Sequence, residues 1–190
     1  MTEKRNIAVF ADRDGTICFD KHYLAYPEGL ELIPTVAEGI KKLNDAGILV
    51  IVVTNQSGVG RGFFDEDQLK AIHRWMEDIL AEQGARVDGI YYCPHLPDAG
   101  CKCRKPAPGM LLEASEEHGI DLKHSFVIGD RMMDIEMAHA VHAKGILVPE
   151  PGNQYNVEKG IRESKTKPDF GADTFMQAVD WILERIRKRD

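Results

Sequence analysis

The sequence predicts an α/β fold, doubly wound, with a mainly parallel sheet flanked by helices, and three observations carry that prediction. Short apolar runs recur at 7–10, 48–53, 87–92, 125–128 and 146–148, as strands buried on both faces do. Segments with helical periodicity separate them. A polar motif follows each of the first four runs, at the strand ends where open α/β sheets gather their chemistry.

The first run leads directly into Asp12-Arg13-Asp14-Gly15-Thr16, where a glycine after the paired acids allows a sharp exit. Pro34 stands where a first helical turn begins, Val36, Ala37, Ile40 and Leu43 share one face, and Gly47 ends that helix. Asp65 with Gln68 predicts an N-terminal cap for a helix whose Leu69, Ile72, Met76, Ile79 and Leu80 form a buried stripe, closing near Gly84. His73 and Trp75 on it read as packing or surface residues. Residues 150–171 are polar and rich in Gly, Pro and Lys, which predicts a long surface loop with a single helical turn. The last helix carries Phe175, Val179, Ile182, Leu183 and Ile186 at helical spacing and ends in a basic, solvated tail. Single sheet–helix units fill the spaces between the motifs. The expectation is therefore one domain over 1–190, with an open site and no large cap domain.

At 190 residues, with 43% hydrophobic and 29% charged residues, the chain is long enough for one substantial core. The stretch 1–6 has no apolar signal core and no later run approaches membrane-spanning length, so a cytoplasmic protein with no membrane partner is expected. A formal net charge of −7 gives no broad cationic footprint and argues against a nucleic-acid partner. Any positive site must be small and focused.

Of the four cysteines, Cys18 stands alone and reads as a small packing residue. The other three fall in Cys93-Pro94-His95 and Cys101-Lys102-Cys103, a ligand cluster rather than a spread of disulfide partners. Three thiolates and one imidazole suit a closed tetrahedral zinc site with no open position. Such a Zn²⁺ is structural, stiffening a loop at about 93–103 that runs straight into Arg104-Lys105. A redox role for Cys101 and Cys103 fits less well.

Alternate residues of extended chain point the same way, so Asp12 and Asp14 can share a site, one as nucleophile and metal ligand and one as acid. Taken alone, the pair also fits a solvated turn. Thr54-Asn55-Gln56-Ser57, Arg104-Lys105-Pro106 and Gly129-Asp130-Arg131-Met132-Met133-Asp134 follow the next three strands. Singly, Thr54 is a strand end, Lys105 a surface charge and Asp130 a helix cap. Together those readings would require coincidence at four strand ends.

In order and placement the four motifs resemble the haloacid dehalogenase superfamily, and the likeness covers nearly the whole chain. A response-regulator receiver also gathers Asp, Thr and Lys at strand ends, but it carries its phosphorylated Asp on a middle strand, whereas here the paired acids come first. The resemblance implies that Asp12 forms an aspartyl-phosphate, and that Asp14 protonates the leaving alkoxide and then activates water. It implies Mg²⁺ held by Asp12, the backbone carbonyl of Asp14 and Asp130, with Asp134 behind them. Thr54 and Lys105 would meet the phosphoryl group, with backbone amides around Asn55 and Gln56 adding hydrogen bonds.

Within the superfamily, Cys-Pro-His with Cys-x-Cys-Arg-Lys-Pro, and Thr54-Asn55-Gln56-Ser57-Gly58-Val59-Gly60-Arg61-Gly62, are similar to the D-glycero-D-manno-heptose 1,7-bisphosphate 7-phosphatases. Histidinol-phosphate phosphatase domains share the zinc loop and a Gly-Asp-Arg-x-x-Asp-Ile motif, matched at 129–135. Ser57, Arg61, Tyr91-Tyr92-Cys93-Pro94-His95 and Pro106-x-Pro108-Gly109-Met110 favour the heptose group. The implied reaction removes the C7 phosphate and leaves heptose 1-phosphate. By the same likeness Asp20, Lys21, His22, Tyr23 and Arg104 touch substrate, and Lys21, Arg61, Arg104, Lys105 and Arg131 make the focused cationic patch. The expected partner is a small phosphorylated sugar, and the open site predicts a monomer. The alternative of another class, a phosphosugar-binding module without turnover, is disfavoured by the intact set Asp12, Asp14, Lys105 and Asp130.

Overall fold

Strand β1 (Ala8–Ala11) consists of four fully buried apolar residues, which suits only the centre of a sheet covered on both faces. Val9 and Ala11 join one apolar cluster and Ala8 and Phe10 the other, as the two-residue period of a strand requires. In this computed structural model, which describes residues 6–188, the remaining strands are β2 (Leu49–Asn55), β3 (Gly89–Cys93), β4 (Phe126–Gly129), β5 (Lys144–Leu147) and β6 (Phe170–Gly171). All pair in parallel, in the order β3-β2-β1-β4-β5-β6. This is the order of a doubly wound sheet, whose direction of winding reverses between β1 and β4. The stretch 1–5 and the end of the basic tail, 189–190, lie outside the described residues.

Helices α1 (Val36–Asp45), α3 (Glu66–Ala81) and α7 (Phe175–Arg187) supply the cluster on one face. On the other, α4 (Gly109–His118) and α5 (Met132–Ala140) bring Met110, Leu111, Ala114, Met137 and Ala138 against Phe10, Ile51 and Val53. A single turn, α2 (Ser57–Gly60), follows β2 at its C-terminal end. Among the described residues no cap stands over the strand ends, and no helix is long and apolar enough to cross a membrane.

Two local expectations are corrected. Pro34 does not begin α1: Thr35 takes a left-handed φ of 69° and the Val36 amide bonds to the Ile33 carbonyl, so the chain turns once more before the helix starts. Residues 150–171 are not a loop with one turn but hold the ten-residue α6 (Gln154–Glu163) and then β6, which extends the sheet beside β5. The helix escaped notice because its mean polarity is high. Ile161 anchors it against Ile135, Leu147 and Met132.

The cap of α3 is reciprocal: Asp65 Oδ1 accepts from the Gln68 amide at 2.8 Å while Gln68 Oε1 accepts from the Asp65 amide at 2.9 Å. That pairing satisfies two amides which the helix cannot. Asp65→Ala is expected to lower the free energy of unfolding by about 1 kcal/mol. An unchanged urea midpoint would show that the cap contributes nothing.

Candidate active site

A cleft of about 310 Å³ opens over the C-terminal ends of β1, β2 and β4, with Asp12, Asp14, Thr54 and Lys105 in its wall. Lys105 arrives from the long connection after β3, yet its ammonium is buried in the middle of the sheet ends. It lies 2.7 Å from Asp12 Oδ2, 2.7 Å from Asp134 Oδ1 and 3.2 Å from the Val53 carbonyl, which occupies all three N–H donors. Burial works against its charge, but Asp12 and Asp134 outweigh that, and the Lys105 pKa is raised. The Asn55 side chain grips the same residue by its backbone, accepting from the Lys105 amide at 3.1 Å and donating to its carbonyl at 3.4 Å.

Three buried carboxylates, Asp12, Asp130 and Asp134, crowd together here, and two of them take the lysine. Burial pushes Asp12 up to about 7 against the pull of Lys105, with Asp134 and Asp14 adding to the rise. Burial, then the charges of Asp12 and Asp134, push Asp130 up to about 8. Oxygens of Asp12, Asp130 and Asp134 lie within 4.8 Å of one another. Asp134 is turned away from the cleft: one oxygen takes Lys105 and the other the Arg131 amide at 3.2 Å. Gly129 makes room for it, since a Cβ there would lie 2.3 Å from Asp134 Cγ. Asp130 Oδ1 is buried without any hydrogen-bond partner. Gly15, at φ 81°, brings backbone so near Asp130 that a Cβ would lie 2.6 Å from Oδ2. An orphaned hard oxygen among surplus carboxylates fits an oxygen-selecting divalent cation such as Mg²⁺.

Asp14 is held by two residues that the motif reading passed over or cast differently. Arg13, 1% exposed, folds back so that Nε lies 3.0 Å from Asp14 Oδ1 and Nη2 lies 2.8 Å from each oxygen. The Gln56 side-chain amide donates to Asp14 Oδ2 at 2.7 Å and to Thr54 Oγ1 at 2.8 Å. The expected use of the Gln56 backbone amide towards substrate is corrected, because it bonds to the Cys93 carbonyl at 2.7 Å and ties β2 to β3. Cys18 packs beside Asp14 and the Arg13 carbonyl, and burial raises its thiol pKa.

Behind Arg13 stands His73 of α3, whose Nε2 is 3.4 Å from Nη1. Burial first, then the Arg13 charge, hold His73 down to about 3, so it is a neutral acceptor. A signal for both residues was available. Strand alternation turns Arg13 away from Asp12 and into the core, where a charge must find a partner. His73 falls on the spacing 69, 73, 76, 80 that marks the buried face of α3.

Around the rim, Asp20, His22, Tyr23, Ser57, Arg61, Arg104 and Arg131 line the cleft. Asp20 accepts from the His22 amide at 2.7 Å and from Arg131 Nη2 at 2.8 Å, and His22 takes φ 61°. The expectation for Lys21 is corrected: it is absent from the cleft wall and pairs with Glu31 at 3.2 Å. Arg104 Nη1 donates to the His95 carbonyl at 3.3 Å, which links the rim to the cysteine loop.

In that loop, Cys93 Sγ lies 3.5 Å from both His95 Nδ1 and Cys101 Sγ, and Cys103 Sγ lies 3.3 Å from His95 Nδ1 and 3.5 Å from Cys101 Sγ. A tetrahedral zinc implies ligand edges of about 3.5–3.8 Å. The donor set and its spacing therefore fit that ion.

A buried aspartate bound to lysine at the winding reversal of a parallel sheet, with a second aspartate two residues on, defines a phosphohydrolase of the haloacid dehalogenase kind. The family model described as HAD-hydrolase-like matches residues 102–178. The D-glycero-beta-D-manno-heptose-1,7-bisphosphate 7-phosphatase of Yersinia pestis is 41% identical over 186 residues, 94% of this chain and 90% of its own, and its Rhodopseudomonas palustris counterpart is 45% identical over 148 residues, 74% and 82%. The crystal structure of D,D-heptose 1,7-bisphosphate phosphatase from B. bronchiseptica, complexed with magnesium and phosphate, superposes with a TM-score of 0.85 at 31% identity, covering 94% of this chain and 99% of its own. The chain belongs to the D-glycero-D-manno-heptose 1,7-bisphosphate 7-phosphatase family of haloacid dehalogenase-like hydrolases.

His73 carries a pH signature. Its folded pKa lies below that of an unfolded histidine, so the stability it allows is complete above about pH 6.5 and is lost as the pH falls towards 3. His73→Leu removes that dependence. Urea midpoints of the two proteins should therefore shift in favour of the variant between pH 7 and pH 5; an unchanged difference would contradict a buried neutral His73.

Proposed function

We propose that this chain hydrolyses the 7-phosphate of D-glycero-D-manno-heptose 1,7-bisphosphate to give heptose 1-phosphate, with Asp12 as nucleophile. The observation that carries the reading is the Lys105 ammonium 2.7 Å from Asp12 at the floor of an open cleft whose rim presents Arg61, Arg104 and Arg131. Support for the substrate comes from the relatives, which bear that name over most of this chain. Histidinol phosphate would use the same floor, but no feature of the rim favours it.

A carboxylate oxygen of Asp12 attacks phosphorus, the bond to the sugar oxygen breaks, and that oxygen leaves with the electron pair and takes a proton from Asp14. Lys105 balances the charge beside the nucleophile, and the Thr54 hydroxyl, which accepts from Gln56, can point its own proton at a phosphoryl oxygen. Asp14 then removes a proton from water as the water attacks phosphorus and releases Asp12. Asp12, Asp130 and the Asp14 carbonyl would hold Mg²⁺, which when bound neutralises phosphoryl charge and relieves the crowded carboxylates. Asp134 holds Lys105 rather than the ion.

Cys93, His95, Cys101 and Cys103 hold a structural zinc that fixes Arg104 and Lys105 directly after it. The rim residues come from one chain, and the enzyme works as a single-domain monomer in the cytoplasm.

The test is Mg²⁺-dependent phosphate release from both anomers of the heptose bisphosphate and from histidinol phosphate, beginning with the β anomer named in the relatives. A preference for a heptose bisphosphate that vanishes in Asp12→Asn is expected. Preference for histidinol phosphate would replace the substrate, and silence on all three would leave a binding module. Mass spectrometry should find about one zinc per chain. Stripping that zinc with a chelator, followed by assay in fresh Mg²⁺, should lower both turnover and thermal midpoint; full activity without zinc would refute its bracing role.

A further inference from the structure

Arg13 occupies the position between the two aspartates of the motif, and its chemistry is unusual for a side chain 1% exposed. A buried guanidinium needs compensation for lost hydration, and an uncompensated one costs several kcal/mol. Here the compensation comes first from Asp14, through three N–H···O contacts of 2.8–3.0 Å, with the charge of Asp12 adding to it. The remaining nitrogen, Nη1, faces His73 Nε2 at 3.4 Å. The guanidinium is therefore fixed from behind by α3 and grips Asp14 in front. Gln56 completes the hold at Oδ2.

The geometry assigns Arg13 as a positioning residue for Asp14: its rigid fork, seated on His73, sets the orientation from which the Asp14 carboxyl exchanges protons with the leaving group and with water. This rests on the reading of Asp14 as the acid and base of the reaction. A lysine in place of Arg13 would keep the charge but not the planar fork, so the orientation is lost while the ion pair remains.

A group that positions the acid matters in proportion to how badly the leaving group needs a proton. A sugar alkoxide needs one; a nitrophenolate leaves without it. The experiment compares first-turnover rates of the Mg²⁺-loaded enzyme on heptose 1,7-bisphosphate and on 4-nitrophenyl phosphate, for wild type, Arg13→Lys and Asp14→Asn. We expect Arg13→Lys to slow transfer from the sugar phosphate by about 100-fold, the lower end of what acid–base catalysis supplies, with KM within about twofold and the nitrophenyl burst within about threefold of wild type. Equal losses on both substrates, or no loss on either, would overturn the proposal.

Asp14→Asn separates the two possible failures. If it slows both substrates alike, the acid role of Asp14 fails; if it discriminates and Arg13→Lys does not, only the role of Arg13 fails. Should Arg13→Lys not fold, His73→Leu decides, since removing the acceptor behind Nη1 should give the same discrimination at smaller size. Its absence would likewise overturn the proposal.

Discussion

The rest of the site depends on one buried ammonium. Lys105 lies between Asp12 and Asp134 at 2.7 Å from each, and the Val53 carbonyl closes its third donor. Removing either carboxylate would leave the buried ammonium with a single anionic partner. The ammonium thus joins two strands and a helix, since Asp12 follows β1, Val53 belongs to β2 and Asp134 lies in the first turn of α5. It also fixes which acid does what. Asp134 is drawn to the lysine and the helix amide, while Asp130 keeps a buried, unpartnered oxygen.

A second line of contacts runs from Thr54 through Gln56 to Asp14, then through Arg13 to His73. It crosses from the C-terminal end of β2 to the buried face of α3, joining the cleft to the apolar core. The two networks adjoin at residues 12–14 and again at Val53 and Thr54 of β2. Lys105 takes Asp12 and Asp134 while Arg13 and Gln56 take Asp14, so neighbouring carboxylates answer to different partners.

Much of this was legible in the sequence because it is local. The strand runs, the Asp65–Gln68 cap, the four motifs and the cysteine spacing each lie within a few consecutive residues, where period and geometry fix the outcome. What escaped was set at a distance. Lys21 turns to Glu31, and the Gln56 amide to Cys93, because of where the folded chain puts their neighbours. The helix at Gln154–Glu163 brings Ile161 to a small cluster formed by another helix and a strand, a contact that only the folded chain reveals. Arg13 and His73 lie sixty positions apart, and neither means much without the other.

The loop from Cys18 to Tyr26 lines the cleft with Asp20, His22 and Tyr23, rooted by Cys18 beside Asp14 and tied across the rim by Asp20 to Arg131. The carboxylates below are locked into the sheet by burial, whereas the tip of this loop, His22 and Tyr23, is exposed and held by the Asp20 side chain and the ring of Phe63. Change at that tip can therefore reshape the mouth of the cleft while the carboxylates beneath keep their places. The two layers of one site are free to vary at different rates.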